Sequence, residues 1–190
     1  MQYVHVTLHK ALKQAIEDGL VPRNVTEAGK PPQLRREEIK PLTSEQAKML
    51  LKTVRGDRLE ALHVLAITAG PRQDELLGLR WEDVDLEHGT MQVRRTLAGL
   101  KNGNPILSIT KTAKGKRSVK LTQKALEALK RHYEVQLEKR QRLAGLWQEH
   151  GLVFATQIGT SINRHNLVAR SFKPLLDSVG LPEIPETLST

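Results

Sequence analysis

The chain has 190 residues, 38% of them hydrophobic and none of them cysteine, which is enough for one domain with a real core plus a small appendage and excludes disulfides, thiolate metal sites and cysteine nucleophiles. Thirty Lys and Arg against twenty-one Asp and Glu leave a formal charge of +9, a balance that favours a polyanionic partner. No apolar run approaches the roughly 20 residues of a membrane span, and the start lacks the basic-then-apolar pattern of a secretory signal, so the expected location is the cytoplasm, with no membrane partner.

In chain order, Val6 to Ile16 places Leu8, Leu12, Ala15 and Ile16 on one helical face and ends at Gly19, a candidate C-cap. A helix this short is marginal alone, so it reads as part of a bundle. Residues 29–41 carry prolines at both ends with charges between them. Proline cannot donate a backbone hydrogen bond and biases its predecessor away from helix, which suits an extended linker and a domain boundary.

Helix signals return at Thr43-Ser44-Glu45-Gln46, a capping-box pattern, followed by Ala47, Leu50, Leu51 and Val54 at helical spacing. A second helix is expected from near Asp57, with Leu59, Leu62, Leu65, Ala66 and Ala69 inward, broken at Gly70-Pro71. A third begins around Arg72. From Met91 the pattern turns β-like: Met91 to Thr96, Ile106 to Thr110 and Arg117 to Leu121, separated by Gly- and Asn-containing turns, predict a small antiparallel sheet. A long amphipathic helix from about Thr122 to Ala144 follows. Then come a strand-like Leu152-Val153-Phe154 and a helix from about Asn163 to Ser178, stopped by Gly180 and Pro182. The fold class is mainly α with a small antiparallel β-sheet.

The basic residues are not evenly spread. Between Lys101 and Lys124 lie seven of them, Lys101, Lys111, Lys114, Lys116, Arg117, Lys120 and Lys124, and no acidic residue. Arg72 stands just past the helix break with Glu75 three positions on, so a helix would put both on one face and let the carboxylate aim the guanidinium. A guanidinium suits a phosphodiester because its planar fork donates two parallel hydrogen bonds and stays charged at any physiological pH. For an isolated Arg-x-x-Glu, a surface ion pair is the better reading.

The surrounding string changes that. Thr68-Ala69-Gly70-Pro71-Arg72-Gln73-Asp74-Glu75-Leu76-Leu77-Gly78-Leu79-Arg80-Trp81-Glu82-Asp83-Val84-Asp85 resembles the first arginine motif of the tyrosine recombinases, the phage-type integrases. Ile109 to Leu121 resembles the hairpin that carries the lysine of that family, with Lys111 at the matching position. Trp147 to Thr156, Asn166 to Leu176 and Ala11 to Ala15 resemble the same integrases, the last of these their core-binding domain. The likeness runs to about residue 182, and Glu183 to Thr190 departs from it where a His-x-x-Arg motif would begin. Pro71 and Asp74 also depart from the pattern: Pro71 could tilt the helix start, and Asp74 could compete for Arg72 or repel a phosphate.

The resemblance implies a catalytic-domain-like fold truncated at both ends: residues 1–28 as the last helix of a core-binding domain, 29–41 as linker, and 42–190 as a partial catalytic domain. It implies Arg72, Glu75 and Lys111 as catalytic residues and double-stranded DNA as partner, with a homo-oligomer on DNA. No cofactor and no metal are expected, because the family mechanism uses a tyrosine nucleophile. Lys114, Lys116, Arg117, Lys101, Arg95 and Arg164 are DNA-contact candidates. With no His-x-x-Arg and no matching tyrosine, the chain is expected to bind DNA without cutting it. A non-enzymatic assembly or inhibitory module is the alternative. Tyr3 and Tyr133 read as packing or surface residues. Of the seven histidines only His5 and His9 are spaced i,i+4, without acidic companions, so structural or surface roles suit them all.

Overall fold

A computed structural model describes residues 2–29, 41–101, 104–109 and 116–181. The chain divides into two compact units, Met1–Lys40 and Pro41–Thr190.

In the first unit, α1 (Gln2–Glu17) ends before Gly19, whose φ of +70° is the left-handed conformation that glycine adopts without penalty. The inward residues are His5, His9, Leu12 and Ala15, whereas Leu8 and Ile16 of the expected apolar face stay exposed. The helix is held to a short 3-10 turn (Val25–Glu27) by polar groups. The buried Asn24 amide donates to the His9 carbonyl at 3.1 Å, and His9 Nδ1 lies 2.9 Å from Thr26 Oγ1. Burying Asn24 is tolerable because its polar atoms are paired.

The second unit opens with α2 (Ser44–Thr53), capped as the sequence predicts: the Gln46 N–H donates to Thr43 Oγ1, and the Thr43 N–H to Gln46 Oε1. Asp57 does not start the next helix. Its carboxylate accepts the Leu59 N–H at 2.6 Å, and α3 runs Glu60–Ala69. Gly70, at φ +60°, ends α3, and α4 is a short helix, Gln73–Leu77.

The expected single sheet is two. The segment read as one strand breaks at Arg94: β2 (Thr90–Val93) pairs antiparallel with β1 (Val84–Asp85) and β5 (Arg117–Lys120), while β3 (Arg95–Lys101) pairs antiparallel with β4 (Asn104–Ile109). The physical reason is a side-chain conflict. Continuing the alternation of Met91 and Val93 would point Arg95 into the apolar core, and instead Arg95 turns to the carboxylates of exposed Glu82 and buried Asp83. The long helix α5 spans Gln123–Leu143, with Ala125, Ala128 and Leu129 buried against α3.

Leu152-Val153-Phe154 is buried but belongs to no sheet. The Val153 N–H donates to the Leu79 carbonyl and the Trp81 N–H to the Gly151 carbonyl, a lone bridge beside residues 79–81. The last helical stretch is interrupted: α6 (Arg164–Leu167), a five-residue π segment (Val168–Phe172) and α7 (Lys173–Ser178). Pro174 explains it, since it has no N–H for the carbonyl four residues back. The Lys173 N–H reaches to Val168, five residues back, and keeps the helix continuous.

The core joins Leu62, Leu65, Leu77, Met91, Val93, Leu129, Val153 and Phe154, all almost fully buried. Each contributes on the order of 1.5–3 kcal/mol by leaving water. A second cluster, Leu50, Leu176 and Leu181, closes α2 onto α7. Among the described residues no helix is long and apolar enough to cross a membrane.

Candidate functional site

The break between α3 and α4 shapes the site. With Gly70 left-handed and Pro71 following, Arg72 falls not inside a helix but at its N-cap, with extended backbone (φ −65°, ψ 152°). Its side chain is 81% exposed. Glu75, one turn on, is buried, and it holds Arg72 mainly through the backbone: the Arg72 N–H donates to Glu75 Oε2 at 2.8 Å, whereas the guanidinium stands 3.6 Å from Oε1. The main chain is thus fixed while the fork faces solvent.

What neutralises Glu75 is Arg117. Its Nη1 donates to Oε1 at 2.9 Å and its Nη2 to Oε2 at 2.8 Å, a bidentate pair joining β5 to α4. Burial pushes the Glu75 carboxyl up, but the Arg117 hydrogen bonds, the Arg72 N–H and the two guanidinium charges outweigh it and hold it below the usual range. The same bonds raise the Arg117 guanidinium further, against the opposing effect of burial. Sequence reasoning grouped Arg117 with the phosphate-contacting cations and missed this bond. A signal was present: Arg117 and Val119 alternate with exposed Ser118 and Lys120 along β5, which puts Arg117 on the inward row.

Asp74 neither competes for Arg72 nor faces outward alone. It lies 3.3 Å from Arg164 Nη1, and Gln73 Nε2 donates to the Arg164 carbonyl at 3.3 Å, tying α4 to α6. α4 also packs on β3. Gly78 permits this, since a β-carbon there would lie 2.9 Å from Leu97 N.

The remaining candidates separate. Arg95 is largely covered and engages Glu82 and Asp83, the latter at 3.5 Å. Arg94 stands 3.5 Å from the other oxygen of Asp83. Burial pushes the Asp83 carboxyl up, against the pull of these two arginines. Lys101 is exposed at the end of β3, and Lys116 is exposed just before β5. Lys111 and Lys114 lie outside the described residues. Tyr133 packs edge-on against Trp81, ring centroids 4.8 Å apart, and stays partly exposed, where a packing or surface role was expected of it.

The structure therefore gathers Arg72, Glu75, Arg117, Asp74 and Arg164 around one short helix. An exposed guanidinium backed by a buried, doubly bonded carboxylate can present its fork to an oxyanion at any physiological pH. No group of three or more His, Asp or Glu residues suited to a metal ion occurs among the described residues.

Known proteins resemble this chain in sequence and in fold. Residues 40–183 match the model of the phage integrase family. A protein named tyrosine recombinase XerC-like, from Caldanaerobacter subterraneus subsp. tengcongensis, is 30% identical over 185 residues, covering 88% of this chain and 47% of that protein. An integrase of Streptomyces ambofaciens is 33% identical over 190 residues, 95% of this chain and 47% of that one. The chain thus spans about half the length of these curated relatives. Among solved structures, the Tn1549 transposon integrase in complex with a circular intermediate DNA superposes with a TM-score of 0.74 at 20% identity, covering 95% of this chain and 60% of that one. A λ integrase dimer bound to a core site gives 0.58 at 20%, covering 99% and 64%. At this identity these two likenesses concern the fold.

Proposed function

Because the chain belongs to the phage integrase family of tyrosine recombinases, we propose that its 190 residues grip duplex DNA around a scissile phosphate and do not cut it by themselves. The observation that carries this reading is Arg72, exposed and held at its backbone by a carboxylate that Arg117 has already neutralised. Such an arginine has its fork available for a phosphodiester, and Lys111, outside the described residues, would serve as proton donor to the leaving 5′ oxygen. Lys101, Lys114 and Lys116 would add sequence-independent phosphate contacts. Residues 1–28 would be the last helix of a core-binding domain, 29–41 the linker, and 42–190 part of the catalytic domain.

The sequence contains no His-x-x-Arg motif, and neither Tyr3 nor Tyr133 stands in a matching one, so the nucleophile would come from another polypeptide segment. Relatives named for DNA recombination, and neighbours solved as dimers on DNA, support assembly on duplex DNA. The test is duplex affinity measured across a salt series. Neutralising phosphates releases counterions, so affinity should fall steeply and linearly on a log-log plot; a flat plot, or no binding at low salt, contradicts the proposal. Nicked substrates should yield no covalent adduct with this chain alone, and adducts should form once a tyrosine-bearing segment is added.

A second reading, an assembly module for an intact recombinase, is favoured by Val135, Leu137 and Leu146, exposed large apolar side chains on or just past α5. Light scattering tests it, with a monomer at high concentration counting against association.

A further inference from the structure

A cavity of about 530 Å3 opens between the start of α3 and the middle of α5, and its wall carries Arg55, Arg58, Arg131 and Lys139. Its two carboxylates are already engaged. Glu60 accepts from Arg131 at 2.6 Å and from the Gly56 N–H at 2.9 Å, and Asp57 accepts the Leu59 N–H. Among the described residues Arg58 meets only a neutral acceptor, the Ala155 carbonyl at 3.2 Å, and no carboxylate lies within ion-pair distance of Lys139. Trp147 also lines the cavity, and its buried indole N–H has no acceptor among the described residues.

These groups repel one another. Burial lowers the Lys139 ammonium, and Arg58 and Arg142 lower it further. Burial likewise keeps the His132 ring neutral, against the bond it donates to the Val153 carbonyl at 2.8 Å, and Lys139 and Arg58 add to the effect. A concave site with more cations than carboxylates favours an anion.

We propose that this cavity is a phosphate-dianion site, filled by inorganic phosphate or by the phosphate end of a small organic ligand such as a nucleotide, with Arg58 and Lys139 as its donors and Trp147 in its wall. A dianion offsets both cations together, and its several oxygens can accept from both donors. The volume falls within the range of small-ligand pockets and exceeds what phosphate alone fills, while Ala61, Ala128 and Val135 supply an apolar wall for the remainder of a ligand. The site is distinct from Arg72: the cavity lies at the first turn of α3 and Arg72 beyond its last, about 15 Å of helix apart.

The test uses the whole chain labelled with 15N, which has two indole N–H signals; loss of one in Trp147→Phe identifies it. Inorganic phosphate and AMP are titrated against chloride at matched ionic strength, with thermal melts run on every variant. The Trp147 signal should shift and saturate with phosphate. Arg58→Gln and Lys139→Gln should each weaken that titration about 10-fold without lowering the melt, and Arg72→Ala should leave it unchanged. Tighter binding of AMP than of phosphate identifies a nucleotide-like ligand; equal binding identifies phosphate alone. The proposal is overturned if phosphate shifts Trp147 no more than chloride, if Arg72→Ala weakens the titration as much as Arg58→Gln, or if a DNA duplex displaces the phosphate. None of these outcomes bears on whether Arg72 binds DNA.

Discussion

Arg117 and Glu75, 42 positions apart in sequence, meet through two parallel hydrogen bonds of 2.9 and 2.8 Å that join β5 to α4. The carboxylate is buried and also accepts the Arg72 N–H, so removing Arg117 strands a buried charge. Arg117→Ala should cost about 2–3 kcal/mol, less than the roughly 3–5 of a fully buried pair because the arginine keeps one side in solvent. That is a fall in melting temperature on the order of 5–10 °C. Arg117→Lys should recover little, since an ammonium cannot form the two-pronged bond. A melt unchanged in both variants would falsify the pairing.

Arg72 should behave in the opposite way. Its side chain is 81% exposed and its backbone bond to Glu75 survives truncation, so Arg72→Ala should shift stability by less than about 1 kcal/mol. Duplex affinity should drop about 10-fold, and the slope of log affinity against log salt should fall by about 0.9, one phosphate contact. Equal affinity and slope in the variant would remove Arg72 from the DNA interface.

Acid should unfold the chain in two phases. Burial lowers the His63 and His132 rings below their ordinary value of 6.5, so the folded state holds them neutral. Their contribution is complete above 6.5 and is lost as pH falls from there through the lowered folded values, because the unfolded chain takes up protons first. Glu75, lowered from 4.5, adds a second loss as pH falls below that value. Melting temperature recorded against pH should show both, and His63→Gln should flatten the first. A curve level from neutrality down to the glutamate range contradicts the histidine assignment.

Gly78→Ala probes the seat of α4. The added carbon would meet Leu97 N at 2.9 Å, the Thr96 carbonyl carbon at 3.0 Å and the Asp74 carbonyl oxygen at 3.1 Å, all of them backbone and unable to swing aside. A cost of about 1–3 kcal/mol is expected. A β-carbon at Gly99 would meet nothing within 4 Å among the described residues beyond its chain neighbours, so Gly99→Ala serves as control, within about 0.5 kcal/mol. Equal melts for the two variants would show that α4 and β3 are not in close contact.

Much of this was legible in local pattern. Thr43 to Gln46 spell a cap, and Gly70-Pro71 spells a break, because each depends only on neighbours within a turn. The motif from Thr68 to Asp85 identified the family and singled out Arg72 and Glu75. The sheet division at Arg94, the lone bridge that Leu152 makes in place of a strand and the π segment were not legible, although Pro174 gives the last a local cause in retrospect.

The pair Arg72 and Glu75 was therefore set by sequence, because a spacing of three residues brings them within reach in any helix start. What each partner does was decided by the tertiary structure. Arg117 comes from 42 residues away on another strand, and once its fork satisfies the buried carboxylate, Glu75 grips the Arg72 backbone and leaves its guanidinium outside. Which of two arginines a carboxylate neutralises depends on burial and approach in three dimensions, and neither is encoded in the order of residues around Glu75.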